Sequence, residues 1–498
     1  MPFQRSSGIL LHPTCFPSRF GIGDLGKSAY EFIDFLEASG QKLWQVLPLG
    51  PTGYGNSPYM CFSAIAGNPM LICPDLLIEE GLLTQNDVSD SFHIFPIDSI
   101  DFDRVIPFKT KLLRIAYENF KRSPSKEFKQ FIQTEANWLD DYAFFMAMLE
   151  ANPADKWNQW EPSIAKREPK AIASKTQELQ DGIQFHQFMQ FIFFEQWSKL
   201  RAYANEKEVQ IIGDIPIYVA HNSADVWANP QNFMLDPKTF EPAMMAGVPP
   251  DYFSETGQLW GNPVYNWEYL EKHNFAWWID RFKFMLHYVD LIRIDHFRGF
   301  EAFWQVPAGE ETAMSGEWET APGIKLFETI KATLGSLPIL AEDLGVITPE
   351  VEELRDMFEF PGMRVLLFAF GGDSGNNHLP HHYVRNSLVY TGTHDNDTAV
   401  GWWKRIGEDE QKMMLKYFGY DNADEIQDIN WRLIRMALAT VANQAIIPLQ
   451  DILGLDNTAR MNTPGTATGN WEWRYSSSEV FTQELQERLL DLTQLYSR

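Results

Sequence analysis

Apolar residues in this chain gather in short runs, separated by longer stretches in which they recur every three or four positions. The runs at 8–11, 42–47, 209–217, 290–294, 337–341, 363–370 and 387–390 predict strands. The stretches at 28–38, 267–286, 324–334 and 349–358 predict helices, with Pro349 in a first turn where a missing N–H is tolerated. Strands that alternate with helices argue for parallel pairing. The expected fold class is therefore α/β, a (β/α)8 TIM barrel, whose catalytic groups come from the C-terminal ends of several strands.

Residues 107–206 break this rhythm: they are helix-rich, charged and aromatic, with helical patterns at 138–149 and 185–204, and the chain returns to a strand at Val209. A largely helical insertion is expected over about 71–206, approached through 71–101, with smaller loop insertions at about 225–266 and 300–322. No repeat or low-complexity tract divides the chain, so residues 1–498 are expected to form one catalytic barrel domain carrying these insertions.

Composition then limits what such a barrel acts on. With 45% hydrophobic residues in 498, the chain can bury a large core. Its 41 Lys+Arg against 67 Asp+Glu give a net charge of -26, a field that repels nucleic acid and anionic lipid and favours a neutral substrate. Cys15, Cys61 and Cys73 are odd in number and lack CxxC spacing, so neither a disulfide framework nor a thiolate zinc site is expected, and a reducing compartment fits. The amino terminus shows no basic region leading into an apolar run, and no apolar stretch reaches roughly 18 residues. A soluble, unexported, cytoplasmic protein that binds no membrane is expected.

Three stretches run from apolar residues straight into a carboxylate with distinctive neighbours: Leu291-Ile-Arg293-Ile-Asp295-His296-Phe-Arg298, Ile339-Leu-Ala-Glu342-Asp343-Leu-Gly, and Val389-Tyr-Thr-Gly-Thr-His394-Asp395-Asn-Asp397. Chemistry at an acetal carbon needs one acid to protonate a leaving oxygen and one ionised carboxylate to attack or shield an oxocarbenium-like centre. Asp295 shares a strand face with Arg293, two residues before it, which would keep it ionised and suits a nucleophile. Glu342, beside Asp343 and preceded by apolar residues, suits a desolvated general acid and then base. Asp395, flanked by His394, suits a clamp on sugar hydroxyls that tightens in the transition state. A fourth strand-end acid, Asp214 in Gly213-Asp214-Ile-Pro216-Ile-Tyr218, either closes its strand by hydrogen bonding or contacts sugar.

With these motifs the chain resembles, essentially end to end, the 4-alpha-glucanotransferases of the amylomaltase, or disproportionating enzyme, family (glycoside hydrolase family 77). Further matching motifs are Phe20-Gly-Ile-Gly-Asp24-Leu-Gly26, Pro51-Thr-Gly-Tyr54-Gly-Asn56-Ser57-Pro58-Tyr59, Gly247-Val-Pro-Pro-Asp251-Tyr-Phe-Ser-Glu-Thr-Gly257-Gln258-Leu-Trp260 and Arg460-Met-Asn462-Thr-Pro-Gly465. The resemblance implies a barrel of the α-amylase type and transfer of an α-1,4-glucan segment to the 4-hydroxyl of another glucan or malto-oligosaccharide, by a retaining double displacement. It also implies Asp295 as nucleophile, Glu342 as acid/base and Asp395 as transition-state stabiliser. Glucan contacts are implied at Tyr59, Asp214, Gln258, Trp260, Arg293, His394 and Asn462; an aromatic face such as that of Tyr59 or Trp260 can cover a pyranose ring. Asn56, where many relatives would carry an acid, and Thr463, where some carry a bulkier side chain, depart from the pattern and bear on a second glucan site and on acceptor size.

No cofactor and no metal are expected. Gly21-Ile-Gly23-Asp-Leu-Gly26 fits a dinucleotide fingerprint, but its candidate strand ends some ten residues earlier and no acid closes the following strand. His378, His381 and His382 sit in a polar loop that needs no ion to explain them. Two alternatives share the same residues: an α-1,4-glucan hydrolase, in which water replaces the acceptor sugar, and a non-catalytic glucan-binding protein, which would need no proton donor.

Overall fold

The computed structural model describes residues 3–89, 95–153, 155–250 and 254–498. In chain order its strands are β1 (Ser6–Leu10), β2 (Leu43–Gln45), β3 (Gln210–Pro216), β4 (Met244–Val248), β5 (Gln258–Pro263) and β6 (Leu291–Asp295). They continue with β7 (Ala302–Pro307), β8 (Glu317–Thr320), β9 (Ile339–Ala341), β10 (Gly362–Val365), β11 (Ser387–Tyr390) and β12 (Gln444–Pro448). Eight of them close into a parallel barrel in the order β1-β12-β11-β10-β9-β6-β3-β2. Ile9, Trp44, Ile212, Ile292, Leu340, Met363, Val389 and Ile446, one from each barrel strand, are all fully buried.

Seven of these strands fall on the seven predicted runs, and the eighth corrects the prediction. β12 is only Gln-Ala-Ile-Ile-Pro, and a proline in so short a run argues against a strand. Here Pro448 is its last residue, paired with Leu10, so the missing donor falls at the rim while residues 444–447 close the barrel between β1 and β11.

Two further corrections concern the loops. The insertions expected at 225–266 and 300–322 are not plain loops, because β4, β5, β7 and β8 within them form one antiparallel sheet in the order β5-β4-β7-β8. The helix expected over 267–286 is two, Trp267–Lys272 and Ala276–Tyr288. Asn274 and Phe275 between them adopt left-handed backbone, with φ of 52° and 51°. Asparagine accepts that conformation more readily than most residues, and burial of Phe275 holds the bend.

Between β2 and β3 the chain runs through Phe102–Phe120, Ala136–Ala151 and the long helix Gln180–Glu206. Trp197 on that last helix reaches the barrel, donating to Tyr288 O at 2.9 Å with its ring 6.1 Å from that of Trp44. Two buried glutamines on the same helix act as surrogate backbone. Gln190 exchanges two hydrogen bonds with Gly67, and Gln196 exchanges two with Cys73, so the segment after β2 is tied to the helix at both places. Among the described residues no helix is long and apolar enough to cross a membrane.

The glycine triplet of the declined dinucleotide motif has a packing reason instead. Gly21 has φ of 83°, and a Cβ on Gly23 would lie 2.0 Å from Pro13 O. Closure itself depends on another glycine. A Cβ on Gly8, which pairs with Leu43 and Ile446, would stand 2.1 Å from Leu43 O. Gly8→Ala is therefore expected to lower the unfolding free energy by about 1–3 kcal/mol, as overpacking does. The expected sign is a lower denaturant midpoint at unchanged slope; an unshifted midpoint would show that β1 and β2 need no close approach.

Candidate active site

The predicted residues converge on one end of the barrel because each lies at or past the middle of a barrel strand or in a segment that follows one. β3 presents Asp214, β6 presents Arg293 and Asp295, β9 leads into Glu342, and β11 leads into His394 and Asp395. Tyr59 arrives from the segment after β2, Gln258 and Trp260 from β5, and Asn462 from the segment after β12. This is the C-terminal face, where strand ends leave side chains free to converge.

At the centre lies a buried guanidinium. Arg293 is paired in register with Asp214 on the neighbouring strand and shares a face with Asp295, two residues on. Its Nη1 donates to Asp214 Oδ2 at 2.6 Å and its Nη2 to Asp295 Oδ1 at 2.9 Å. Tyr59 Oη donates to the same Asp214 oxygen at 2.9 Å. Burial pushes the Asp214 carboxyl up to about 7, and Arg293 opposes the rise. Asp214 thus closes a hydrogen-bonded network through Oδ2, and its Oδ1 has no partner among the described residues.

Glu342 sits in a different environment. Burial, with the charge of Asp295 as the second cause, raises its carboxyl to about 8, against the pull of Arg293 and of two backbone donors. Those donors are Leu344 N, 2.9 Å from Oε1, and His296 N, 2.7 Å from Oε2. His296 reaches Glu342 because it adopts a left-handed conformation, φ 53° and ψ 51°, immediately after Asp295. Such backbone costs about 1–3 kcal/mol and persists where surrounding structure imposes it. The sequence motif contained His296 without revealing that its backbone, not its ring, meets the acid. The ring stands edge-on to Trp260, centroids 4.9 Å apart, and burial lowers its pKa to about 3.

Asp343 does not share that site, contrary to its adjacency in sequence. It turns to Arg355 Nη1 at 2.5 Å, Arg364 Nη1 at 3.5 Å and Met363 N at 2.6 Å, joining the ends of β9 and β10. The proton affinity of Glu342 therefore owes its rise to burial and the charge of Asp295, not to Asp343.

Around Asp395, His394 Nε2 lies 3.4 Å from Oδ2 and Asn462 Nδ2 donates to Oδ1 at 2.6 Å. Burial holds His394 below the ordinary histidine value, against the pull of the Asp395 charge. Tyr59 stacks on His394 at 5.1 Å and 13°, which links this acid to the Asp214 cluster. Arg460 Nη2 donates to Asp395 O at 2.6 Å, a partner that sequence reasoning missed. Trp260 is half-buried and donates to Gln258 Oε1 at 3.1 Å.

The remaining singled-out residues have ordinary surroundings. Asp251, with the two residues after it, lies outside the described residues. Asn56 has φ of 54°, a conformation that suits asparagine, and Thr463 is exposed, its N–H donating to Asn470 Oδ1 at 2.9 Å. His378 Nδ1 accepts from Val365 N, His381 meets Tyr417 Oη, and His382 meets Ser374 O. Among the described residues no group of three His, Cys, Asp or Glu is arranged to hold a metal ion. The three cysteines are free thiols.

The site thus holds Glu342, buried and keeping its proton up to about 8, beside Asp214 and Asp295 on one shared guanidinium, with Asp395 at its rim. An acid that keeps its proton near neutral pH beside a carboxyl group hydrogen-bonded to a cation suits paired acid and nucleophile. A family model described as 4-alpha-glucanotransferase matches residues 11–480. The chain is 55% identical over 501 residues to the 4-alpha-glucanotransferase of Synechocystis sp., covering 99% of this chain and 98% of that protein. It is 47% identical over 489 residues to that of Thermus thermophilus, covering 96% of each. The solved structure of an amylomaltase from Streptococcus agalactiae in complex with acarbose matches at a TM-score of 0.95 and 39% identity, over 99% of this chain and 100% of that one. An amylomaltase from Corynebacterium glutamicum, at 18% identity, TM-score 0.81, and 98% and 75% coverage, shares the fold.

One pH effect follows from Glu342. Folded, it keeps its proton up to about 8; unfolded, it loses it near the usual glutamate value of about 4.3. A raised folded pKa gives stability that is complete below the unfolded value and lost as pH climbs through the folded one. Glu342→Gln removes that pH dependence, so its stability relative to the parent is expected to rise between pH 5.5 and pH 8.5. Denaturant unfolding at the two pH values checks this, and a relative stability that does not rise with pH would count against it.

Proposed function

The chain belongs to the 4-alpha-glucanotransferase family, and from that premise we propose how its residues divide the reaction. The protein transfers a segment of an α-1,4-glucan to the 4-hydroxyl of an acceptor glucose or glucan, with retention at the anomeric carbon. In the first step Asp295 attacks the anomeric carbon while Glu342 gives its proton to the departing glycosidic oxygen. One C–O bond breaks, a glycosyl ester on Asp295 forms, and the shortened glucan leaves with Glu342's proton. In the second step the Glu342 carboxylate takes the proton of the acceptor 4-hydroxyl, whose oxygen attacks the same carbon and releases Asp295. Asp395 holds sugar hydroxyls more tightly as the ring flattens.

The observation that carries this division is the contrast between Glu342, raised to about 8 by burial, and Asp295, bound by Arg293 at 2.9 Å. Arg293 also fixes the attacking oxygen's partner atom, so the nucleophile keeps its orientation between steps. Tyr59, Asp214, His394 and Arg293 line the donor sugar in this proposal, Trp260 and Gln258 meet the glucan chain at the rim, and Asn462 stands against Asp395. The half-buried ring of Trp260 offers a face to a pyranose, as aromatic platforms in sugar sites do. Residues 1–498 act as one catalytic unit in this view, on malto-oligosaccharides and longer α-1,4-glucans, in a reducing compartment suited to its free Cys15, Cys61 and Cys73.

With maltotriose alone, the protein is expected to yield a ladder of longer glucans together with glucose. Steady formation of reducing ends, with no product longer than the substrate, would assign hydrolysis instead. Asp295→Asn is expected to abolish the ladder, and Glu342→Gln to reduce kcat by about 10²–10⁴-fold, as loss of a general acid does. Because only protonated Glu342 serves the first step, kcat/KM should fall as pH rises through about 8. An unchanged alkaline limb in a variant that keeps Glu342 but shifts its surroundings would assign the limb to another group.

A further inference from the structure

Asp395 poses a positioning problem. Its side chain is 46% exposed, and a carboxylate on a solvent-facing loop turns freely unless something holds it. Its own loop supplies two weak supports, Asp395 N to Thr393 Oγ1 at 3.3 Å and His394 Nε2 at 3.4 Å from Oδ2. The others come from a segment some 65 residues later in the chain. Asn462 Nδ2 donates to Asp395 Oδ1 at 2.6 Å, Arg460 Nη2 donates to Asp395 O at 2.6 Å, and Asn462 N donates to His394 O at 3.2 Å. Arg460 Nε donates in turn to Asn462 O at 2.6 Å, which closes a ring of hydrogen bonds through residues 394, 395, 460 and 462.

Arg460 is used here as a planar fork. It joins two backbone carbonyls, one on each segment, and the geometry suits a guanidinium and not an ammonium. Burial and the charge of nearby Arg405 lower its pKa and the charge of Asp395 opposes them, while its hydrogen bonds go to the Asp395 and Asn462 carbonyls. The loop beyond is tied to itself: Thr463 N to Asn470 Oδ1 at 2.9 Å, Thr466 Oγ1 to Thr463 O at 2.7 Å, and Trp471 N to Met461 O at 2.7 Å across its neck. Asn462 therefore stands at a fixed root, with its amide aimed at the acid.

We propose that Arg460 and Asn462 are positioning residues for Asp395, acting on the transition state through that carboxylate and not by holding glucan in the ground state. This rests on Asp395 being the transition-state clamp. A preorganised charge stabilises a transition state only where it already stands in the right place, and a misplacement of about 1 Å can cost as much as 10²-fold in rate.

The test is maltotriose kinetics on the full chain for Asn462→Ala, Arg460→Lys and Asp395→Ala, and on the double variant Asn462→Ala/Asp395→Ala, with an activated maltosyl fluoride as donor where rates are low. Asn462→Ala and Arg460→Lys are each expected to lower kcat by about 10–10²-fold with KM within about 2-fold, since an interaction made only in the transition state moves kcat alone. In the Asp395→Ala background Asn462→Ala should add less than about 2-fold, because residues acting through one group are not additive. A raised KM with kcat intact, or full additivity in the double variant, would overturn the proposal and make Asn462 a direct glucan contact. If Asp395→Ala itself leaves kcat unchanged, the assignment of Asp395 fails and the positioning proposal falls with it. Thermal unfolding of each variant separates these outcomes from misfolding. Arg460→Lys retains a donor and the charge, so it reports geometry even where an alanine there would unfold the turn.

Discussion

The buried Arg293 guanidinium constrains everything else at the barrel mouth. Removing an arginine from water is costly, and it is tolerated where the charge is paired and hydrogen-bonded on several sides. Asp214 and Asp295 supply that pairing from adjacent strands, and the register that sets residue 214 beside 293 makes both bonds possible at once. Through Asp214 the network reaches Tyr59, and through Tyr59 it reaches the His394 ring. One cation thus fixes groups that arrive from four places in the chain. Its charge also accounts for a contrast in function, since it satisfies one catalytic carboxylate directly while Glu342, further into the protein, remains protonated at neutral pH.

Much of this was readable in the sequence because burial and chemistry write themselves into short runs. A parallel barrel strand covered on both faces is largely apolar, so an acid within or just beyond such a run is conspicuous. That is why Asp214, Asp295, Glu342 and Asp395 could be picked out before any coordinates. The long helix of the insertion was legible for a similar reason, as its aromatic positions recur with helical spacing. β12 was not legible, because three apolar residues before a proline carry too little signal, and its place is dictated by the seven strands it must close.

What sequence could not convey is backbone conformation and long-range partnership. The left-handed His296 that turns an N–H toward Glu342 adopts a backbone conformation that histidine accepts more readily than most residues, but the residue type alone does not dictate it. Asp343 is adjacent to Glu342 in the chain but faces the opposite way, because successive residues at the end of an extended strand point to opposite sides. Arg460 was quoted within a motif, yet its hydrogen bond to the Asp395 carbonyl depends on two loops meeting, and no local pattern records such a meeting.

The antiparallel sheet gives the molecule an unexpected unit of inheritance. β4 and β5 leave the barrel between β3 and β6, and β7 and β8 leave it between β6 and β9, so the chain makes two separate excursions. Because β4 pairs with β7, these excursions form one body, and Trp260 rides on its β5 edge while Glu317–Thr320 forms the other. An insertion or deletion in the second excursion would therefore tilt an aromatic ring encoded in the first. Recombination between related chains at β6 would split the pair, giving each offspring half of one parent's sheet and half of the other's. Exchange of rim architecture among such barrels has to move both segments together, with the nucleophile's strand carried along between them.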